Sequence, residues 1–480
     1  MARLHFSNDG WYSRYDASMS VPNMVRVADA VGAYWADARP GATVYVGYDT
    51  RRQARQYAEA VARAFAAWGL HPRVSDVYCP MPALNYAVRH DDTAAGAVML
   101  TGDHRGPEFF GLRVRNADGS GISSRVAAEL EDLIGPNPPA WAFDAEKHLR
   151  VEAPPAETCD MTTVFLSNLA AQVDVDAIRA ANLTCLVDPL FGTARGYAAR
   201  LLRSVGVHAQ EIHSDLDPSF GGLHPEVVEP NLFDLEQFLA AEHESQLGIA
   251  IDGPSNRAMC LTEQGQIVPP PKMYALLMEH LVRHRGETGR IVAPQTISSI
   301  VRRQAKRLGL AVQLVPADAA RTRDEVHAGG VLMAGDGLGG LCIPSIDLER
   351  NALATAVLMA EMLALHKTSL SQLVKNLDAK LGEYYFMHRD MYVDAGQFQV
   401  LLNLLPGLNP GTFAGNQPDF VSHADGLHVQ YPNDVWLLVR PSQTQSLVRV
   451  YAEAPTRRQC LALLAQAEAL IKDSYPGVMQ

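Results

Sequence analysis

Apolar runs and amphipathic runs alternate along the first third of the chain. Residues 43–49 (TVYVGYD) are rich in β-branched and aromatic side chains and predict a strand. Residues 53–68 place apolar side chains at helical spacing, and Gly69 supplies a natural stop. Residues 71–78 read as a second strand. Residues 96–100 read as a third, running directly into a polar turn at 101–107. Strand–helix–strand at this spacing implies parallel pairing with right-handed crossovers.

The pattern then repeats. Residues 135–155 are dense in proline and predict a linker. Beyond them come strands at 183–188, 207–212 and 247–252, with helices at 196–205 and 235–242. A third unit has helices at 273–285, 298–308 and 353–365 and strands at 291–293, 311–315 and 331–334. The last hundred residues change character. Strands at 426–431, 435–439 and 447–453 flank turns, and a helix at 458–472 follows. The expected architecture is α/β: three consecutive α/β domains (1–145, 156–265 and 266–370) plus a C-terminal α+β domain (378–480) around a central cleft.

Composition narrows the function classes. The 480 residues carry 41 Lys and Arg against 53 Asp and Glu, a net charge of −12, with no basic block. That excludes a phosphate-neutralising nucleic-acid surface but leaves room for a local basic pocket. Six cysteines are scattered singly without a C-x-x-C pair, which reads as reduced thiols and a cytoplasmic protein. Residues 1–10 contain no apolar segment, so no secretory leader is expected, and no apolar run reaches membrane-spanning length. The 16 histidines show no metal-ligand spacing and read as surface or hydrogen-bonded core residues.

Polar loops follow the predicted strands, and ligands bind at such loops in parallel α/β sheets. Their order and content resemble the α-D-phosphohexomutase superfamily, the phosphoglucomutase/phosphomannomutase enzymes. FSNDGW at 6–11 resembles the family's FGTDGWRG, and VGYDTR at 46–51 matches VGxDxR. LTGDHRGPEFFGLRV at 100–114 sits where the family has TASHNPxxxNGxK. Glu229–Asn231 with GIAIDGPSNR at 248–257 resembles EPxx…GxAxDGDxDR. AGDGLGG at 334–340 stands at GGExSGH, and RPSQTQSLVRVYAE at 440–453 resembles RPSGTEPxxRVYxE.

The resemblance implies a Mg²⁺-dependent transfer of phosphoryl between C1 and C6 of a hexose phosphate, through a phosphoserine. It maps the phosphoserine position onto Asp103, beside His104, and a phosphate-contacting lysine onto Arg113. A carboxylate forms only an acyl phosphate, so Asp103 is either a fixed charge, an unusual nucleophile, or part of another reaction. Of the three metal-binding aspartates only Asp252 remains. Pro254 and Asn256 replace the others, and Arg257 is kept. Mg²⁺ is therefore expected only for an active mutase, no cofactor is otherwise called for, and DGPSNR also reads as a plain turn. Arg257 is expected between the Asp103 and Asp252 carboxylates, replacing a cation.

At the sugar loop Asp336 replaces the family's Glu, while Leu338 and Gly340 cannot hydrogen-bond a hydroxyl through a side chain. Arg440, Ser442, Thr444 and Arg449 form a phosphate-binding set, or else an inert turn with Gln443 at its crown. The leading expectation is a diverged relative that binds a phosphorylated sugar or similar metabolite with little or no standard mutase activity. An active phosphoglucomutase/phosphomannomutase with Asp at the nucleophile position, and a non-catalytic partner of an active mutase, are the alternatives. No nucleic acid or membrane is expected as a partner.

Overall fold

The computed structural model describes residues 4–6, 9–139, 142, 156–242, 244–393, 395–408, 410–441 and 447–474. Four sheets follow one another along the chain. The first has six strands in the order Gly10–Arg14, Phe109–Asn116, Ala94–Leu100, Thr43–Tyr48, His71–Ser75, Glu157–Cys159. Its Thr43–Tyr48, His71–Ser75 and Ala94–Leu100 strands are parallel, as the spacing predicts. Phe109–Asn116 returns antiparallel beside Ala94–Leu100, so the 100–114 segment passes from the polar turn into a strand. That strand alternates side chains between faces, which puts Arg113 and Arg115 on the same side.

The second sheet runs Ile267–Val268, Ala258–Leu261, Leu247–Ile251, Thr184–Asp188, His208–Glu211. The third runs Val312–Val315, Arg290–Pro294, Val331–Gly335, Leu341–Cys342. Two boundary elements sit elsewhere than the sequence-based division places them. Glu157–Cys159 pairs with His71–Ser75 in the first sheet, and Ile267–Val268 completes the second. The fourth sheet is antiparallel throughout: Tyr385–Tyr392, Leu447–Ala454, Val435–Pro441, Leu427–Tyr431, Phe420–Ser422. Helix Arg457–Ser474 packs on it.

Helix Ala352–His366 explains how the middle units hold together. Asn351 caps it by accepting from the Ala354 amide, and its first thirteen residues are all buried. A helix apolar on every side belongs inside a core. It packs against Val175–Ala181 and Tyr197–Ser204 of the second unit and Pro270–Arg283 of the third, giving one continuous core. Each fully buried Leu, Met or Val there contributes about 1.5–3 kcal/mol. All six cysteines are free thiols. Among the described residues no helix is long and apolar enough to cross a membrane.

The carboxyl ends of the strands in the first three units converge on one cleft. There the 101–107, 252–257 and 336–340 loops meet.

Candidate functional site

The loop after Ala94–Leu100 is organised by one buried arginine. Arg51 uses all five of its side-chain N–H donors. Nε reaches Asp49 Oδ2 at 3.1 Å, Nη1 the carbonyls of Gly106 and Phe109 at 2.6 and 3.1 Å, and Nη2 those of Asp103 and Arg105 at 2.9 and 2.6 Å. Phe220 of the second unit lies against the same guanidinium, 4.7 Å from ring centre to carbon. A Cβ on Gly102 would come within 2.4 Å of that carbon, so the position requires glycine. Asp103 is left-handed at φ +60°, with its amide donating to Thr101 Oγ1 at 2.8 Å. The loop thereby presents the Asp103 side chain to a cleft cavity of about 260 Å³.

Beneath that carboxylate lies a charged lattice. Arg113 grips Asp9 with a two-pronged contact, Nε to Oδ1 at 3.1 Å and Nη2 to Oδ2 at 2.8 Å, and reaches Asp103 Oδ2 with Nη1 at 3.3 Å. His104 Nδ1 lies 3.6 Å from the other Asp103 oxygen. Arg115 Nη1 also donates to Asp9, at 3.0 Å. Arg323 of the third unit donates to Glu349 at 3.0 Å and to the Ile122 carbonyl at 3.0 Å, tying the first and third units together. Burial opposes the charge on Asp103, but Arg113, and then His104 and Arg105, hold its carboxyl well below the usual range. Asp103 is ionised at neutral pH.

The 252–257 loop is clamped by its backbone. The Pro254 carbonyl accepts from the Met81 amide at 3.0 Å, that of Gly253 from Thr193, and that of Ser255 from the Ala352 amide at 3.1 Å. Asp252 Oδ1 accepts from the amides of Asn256 and Arg257 at 2.7 and 3.0 Å. Burial pushes the Asp252 carboxyl up to about 6, against the pull of Arg257. Arg257 does not make the expected salt bridge to Asp103 or Asp252, although both carboxylates are near enough to favour its charge. Its Nε donates to Asp336 Oδ2 at 3.0 Å, because Asp336 offers it a full carboxylate. Arg350 Nη1 shares that oxygen at 2.9 Å, while Asp336 Oδ1 accepts from the amides of Leu338 and Gly340. The Asp336 carboxylate is thus fully engaged by protein groups.

Mg²⁺ asks for a near-octahedral shell of oxygens. Asp252 has one oxygen left outside its loop, and Pro254 and Asn256 bring no carboxylate. Among the described residues no group of three or more His, Cys, Asp or Glu side chains is arranged to hold a metal ion. The donor set does not fit the divalent ion that the resemblance implies.

In the C-terminal unit Arg440 and Arg449 are cross-strand partners, so they share one face of the sheet. Each is already matched with a carboxylate. Arg440 Nε lies 3.2 Å from Asp425, and Arg449 Nη2 donates to Asp390 at 2.7 Å. Ser442 and Thr444 lie outside the described residues. The same sheet is pinned to the third unit by buried Glu453, which accepts from Ser298 Oγ at 2.6 Å, the Ser299 amide at 2.7 Å and Trp436 Nε1 at 2.6 Å.

Family models match the chain in order. "Phosphoglucomutase/phosphomannomutase, alpha/beta/alpha domain I" covers residues 3–138, domain II residues 163–265, domain III residues 269–380, and the C-terminal domain residues 411–470. The chain belongs to the phosphoglucomutase/phosphomannomutase family. A relative in Thermococcus kodakarensis, named phosphoglucomutase/phosphomannomutase, is 24% identical over 436 residues, covering 90% of this chain and 91% of its own. A phosphoglucosamine mutase of Methanocaldococcus jannaschii is 22% identical over 444 residues, covering 91% and 93%. The fold matches a solved phosphoglucomutase/phosphomannomutase family protein from Burkholderia thailandensis, with TM-score 0.83, 19% identity and coverage of 100% and 99%. It also matches an Aspergillus fumigatus N-acetylphosphoglucosamine mutase solved with GlcNAc-6P and magnesium, with TM-score 0.58, 12% identity and coverage of 98% and 96%.

Asp103, His104, Arg113, Arg257 and Asp252 line one cavity, and Asp336 braces it through Arg257. Sequence reasoning left out Asp9, Arg115, Arg323, Glu349 and Arg350. The alternating LRVR of the Phe109–Asn116 strand carries a signal for Arg115: two arginines two apart in a strand face the same way. Arg323 and Glu349 come from parts of the third unit that show no motif of their own.

Proposed function

We propose that this chain binds a phosphorylated sugar in the central cleft and has little or no standard mutase activity. The observation that supports this reading most is the density of guanidinium groups on the cavity wall, which five arginines line together with three aspartates. Asp336 and Glu349 pair with Arg257, Arg350 and Arg323, so the charges balance overall, and the guanidinium left without a carboxylate among the described residues is Arg105. A low-dielectric wall strengthens the attraction of such a group for an anionic ligand. His104 and Arg113 flank Asp103, and Arg257 stands across the cavity. Arg440 and Arg449, with Ser442 and Thr444, are the second group of phosphate contacts, and Asp425 and Asp390 must yield to the ligand there.

Mutase turnover needs a side chain that accepts a phosphoryl group and returns it. Asp103 is a poor candidate, because an arginine already holds its carboxylate and, among the described residues, no cluster of acidic, His or Cys side chains is arranged to hold a cation beside it. The second reading, an active mutase with Asp103 as nucleophile, draws on the same residue being ionised and facing the cavity. A coupled assay converting glucose 1-phosphate to glucose 6-phosphate, with Mg²⁺ and a bisphosphate activator, separates the two. The binding reading expects turnover below about 1 s⁻¹, the bottom of the ordinary enzyme range. Turnover at or above that rate, lost in Asp103→Asn, establishes the second.

A further inference from the structure

Arg105 stands out among the cleft residues. Its guanidinium carbon stacks 4.1 Å over the Tyr12 ring, which fixes the plane of the fork. Its backbone carbonyl is held by Arg51, so the side chain springs from a rigid point. Among the described residues it has no ion-pair partner, although Asp103 is two residues away, and its Nη1 is buried without any hydrogen-bond partner. An orphaned guanidinium N–H in a buried setting costs free energy that a native structure seldom leaves uncompensated. The other arginines on this wall differ: Arg113, Arg257, Arg323 and Arg350 each bond to a carboxylate. The wall therefore holds one guanidinium fork reserved for something outside the protein.

We propose that Arg105 is the ligand's phosphate anchor, taking the phosphate of a sugar monophosphate at the centre of the cleft by guanidinium contacts alone, without a divalent cation. This rests on the phosphosugar reading above and deepens it by naming the residue and the charge chemistry. A planar fork suits two phosphate oxygens at once. Tyr12, also on the cavity wall, has its phenol pushed well up by burial and stays protonated. Arg440 and Arg449 differ from Arg105 in having carboxylates to displace before they bind a phosphate.

The test is titration calorimetry of glucose 6-phosphate, with inorganic phosphate and glucose as separate arms, on wild type, Arg105→Gln and Arg105→Lys. Each is run with EDTA and again with Mg²⁺. Wild type is expected to bind glucose 6-phosphate equally well in EDTA and Mg²⁺, with inorganic phosphate competing and glucose not binding. Arg105→Gln is expected to weaken binding at least tenfold, and Arg105→Lys to fall between. Unchanged melting temperatures for the Arg105 variants confirm that they fold. If wild type binds but Arg105→Gln binds as tightly, or binding disappears in EDTA, the Arg105 assignment is wrong and the phosphosugar reading stands. If wild type binds no sugar phosphate, both fall.

Discussion

Replacing Arg51 with alanine tests how the cleft loop is held. The side chain is fully buried and spends five N–H donors on four carbonyls of the 103–109 segment and on Asp49. Truncation leaves Asp49 as a buried charge without its partner, and breaking such a pair costs about 3–5 kcal/mol. The four carbonyls each lose a charged donor, an effect of about 1–3 kcal/mol where water cannot replace it. These terms overlap, and water enters the vacated space, so the simple sum overshoots. A local loss of about 3 kcal/mol is the expected result, with the 101–110 loop opening far more readily than the sheet behind it. Global unfolding of a four-unit chain is not a two-state event, so native-state hydrogen exchange is the appropriate assay. At roughly 1.4 kcal/mol per factor of ten, amides of the loop in Arg51→Ala should exchange about 10²-fold faster, while the Thr43–Tyr48 strand changes little. Arg51→Lys should rescue only part of this, since one ammonium cannot reach all four carbonyls. Loop exchange within threefold of wild type would refute the reasoning, because the loop would then be held by other contacts.

Two further perturbations follow from the geometry. His428, between the Phe420 and Trp436 rings, is pushed down to about 4 by burial and then by Arg302, against the pull of Asp425. The unfolded chain therefore binds a proton that the folded one refuses between about pH 6.5 and 4, so the C-terminal unit loses stability as pH falls through that window, by about 3 kcal/mol at the bottom. His428→Gln should flatten the fall in melting temperature between pH 7 and 5, and an unchanged slope would rule His428 out as its source. Asp103→Ser restores the residue type that the family carries at that position, yet the coupled assay should show no gain above about 1 s⁻¹, because Pro254 and Asn256 still supply no carboxylates for a cation.

The fold was legible because the sequence keeps strand and helix periodicities separate and in the family's order. What it hid were the connections between units. Glu157–Cys159 lies beyond a proline-rich stretch and still joins the first sheet, which no local pattern reports. Helix Ala352–His366 reads as apolar, but its partners in two units are a matter of tertiary contact. At the site, the loop positions were readable from motifs while the pairings were not. Asp336 and Arg257 sit 79 residues apart, and only the fold shows that the loop aspartate holds the arginine expected beside Asp252. The neutralisation of Arg440 by Asp425 and of Arg449 by Asp390 was invisible for the same reason. Arg105 is the opposite case: one residue in a motif, whose missing partner becomes evident only when its neighbours are seen.

Binding and turnover of a sugar phosphate are both read in one sample by phosphorus NMR. Glucose 1-phosphate is mixed with protein, Mg²⁺ and a catalytic amount of glucose 1,6-bisphosphate, and its resonance is followed over hours. Binding without turnover predicts a ligand resonance broadened or shifted in proportion to protein, reversed by excess inorganic phosphate, with no glucose 6-phosphate signal growing in. Steady conversion to glucose 6-phosphate at about 1 s⁻¹ or faster per protein, or a ligand resonance identical with and without protein, would contradict it.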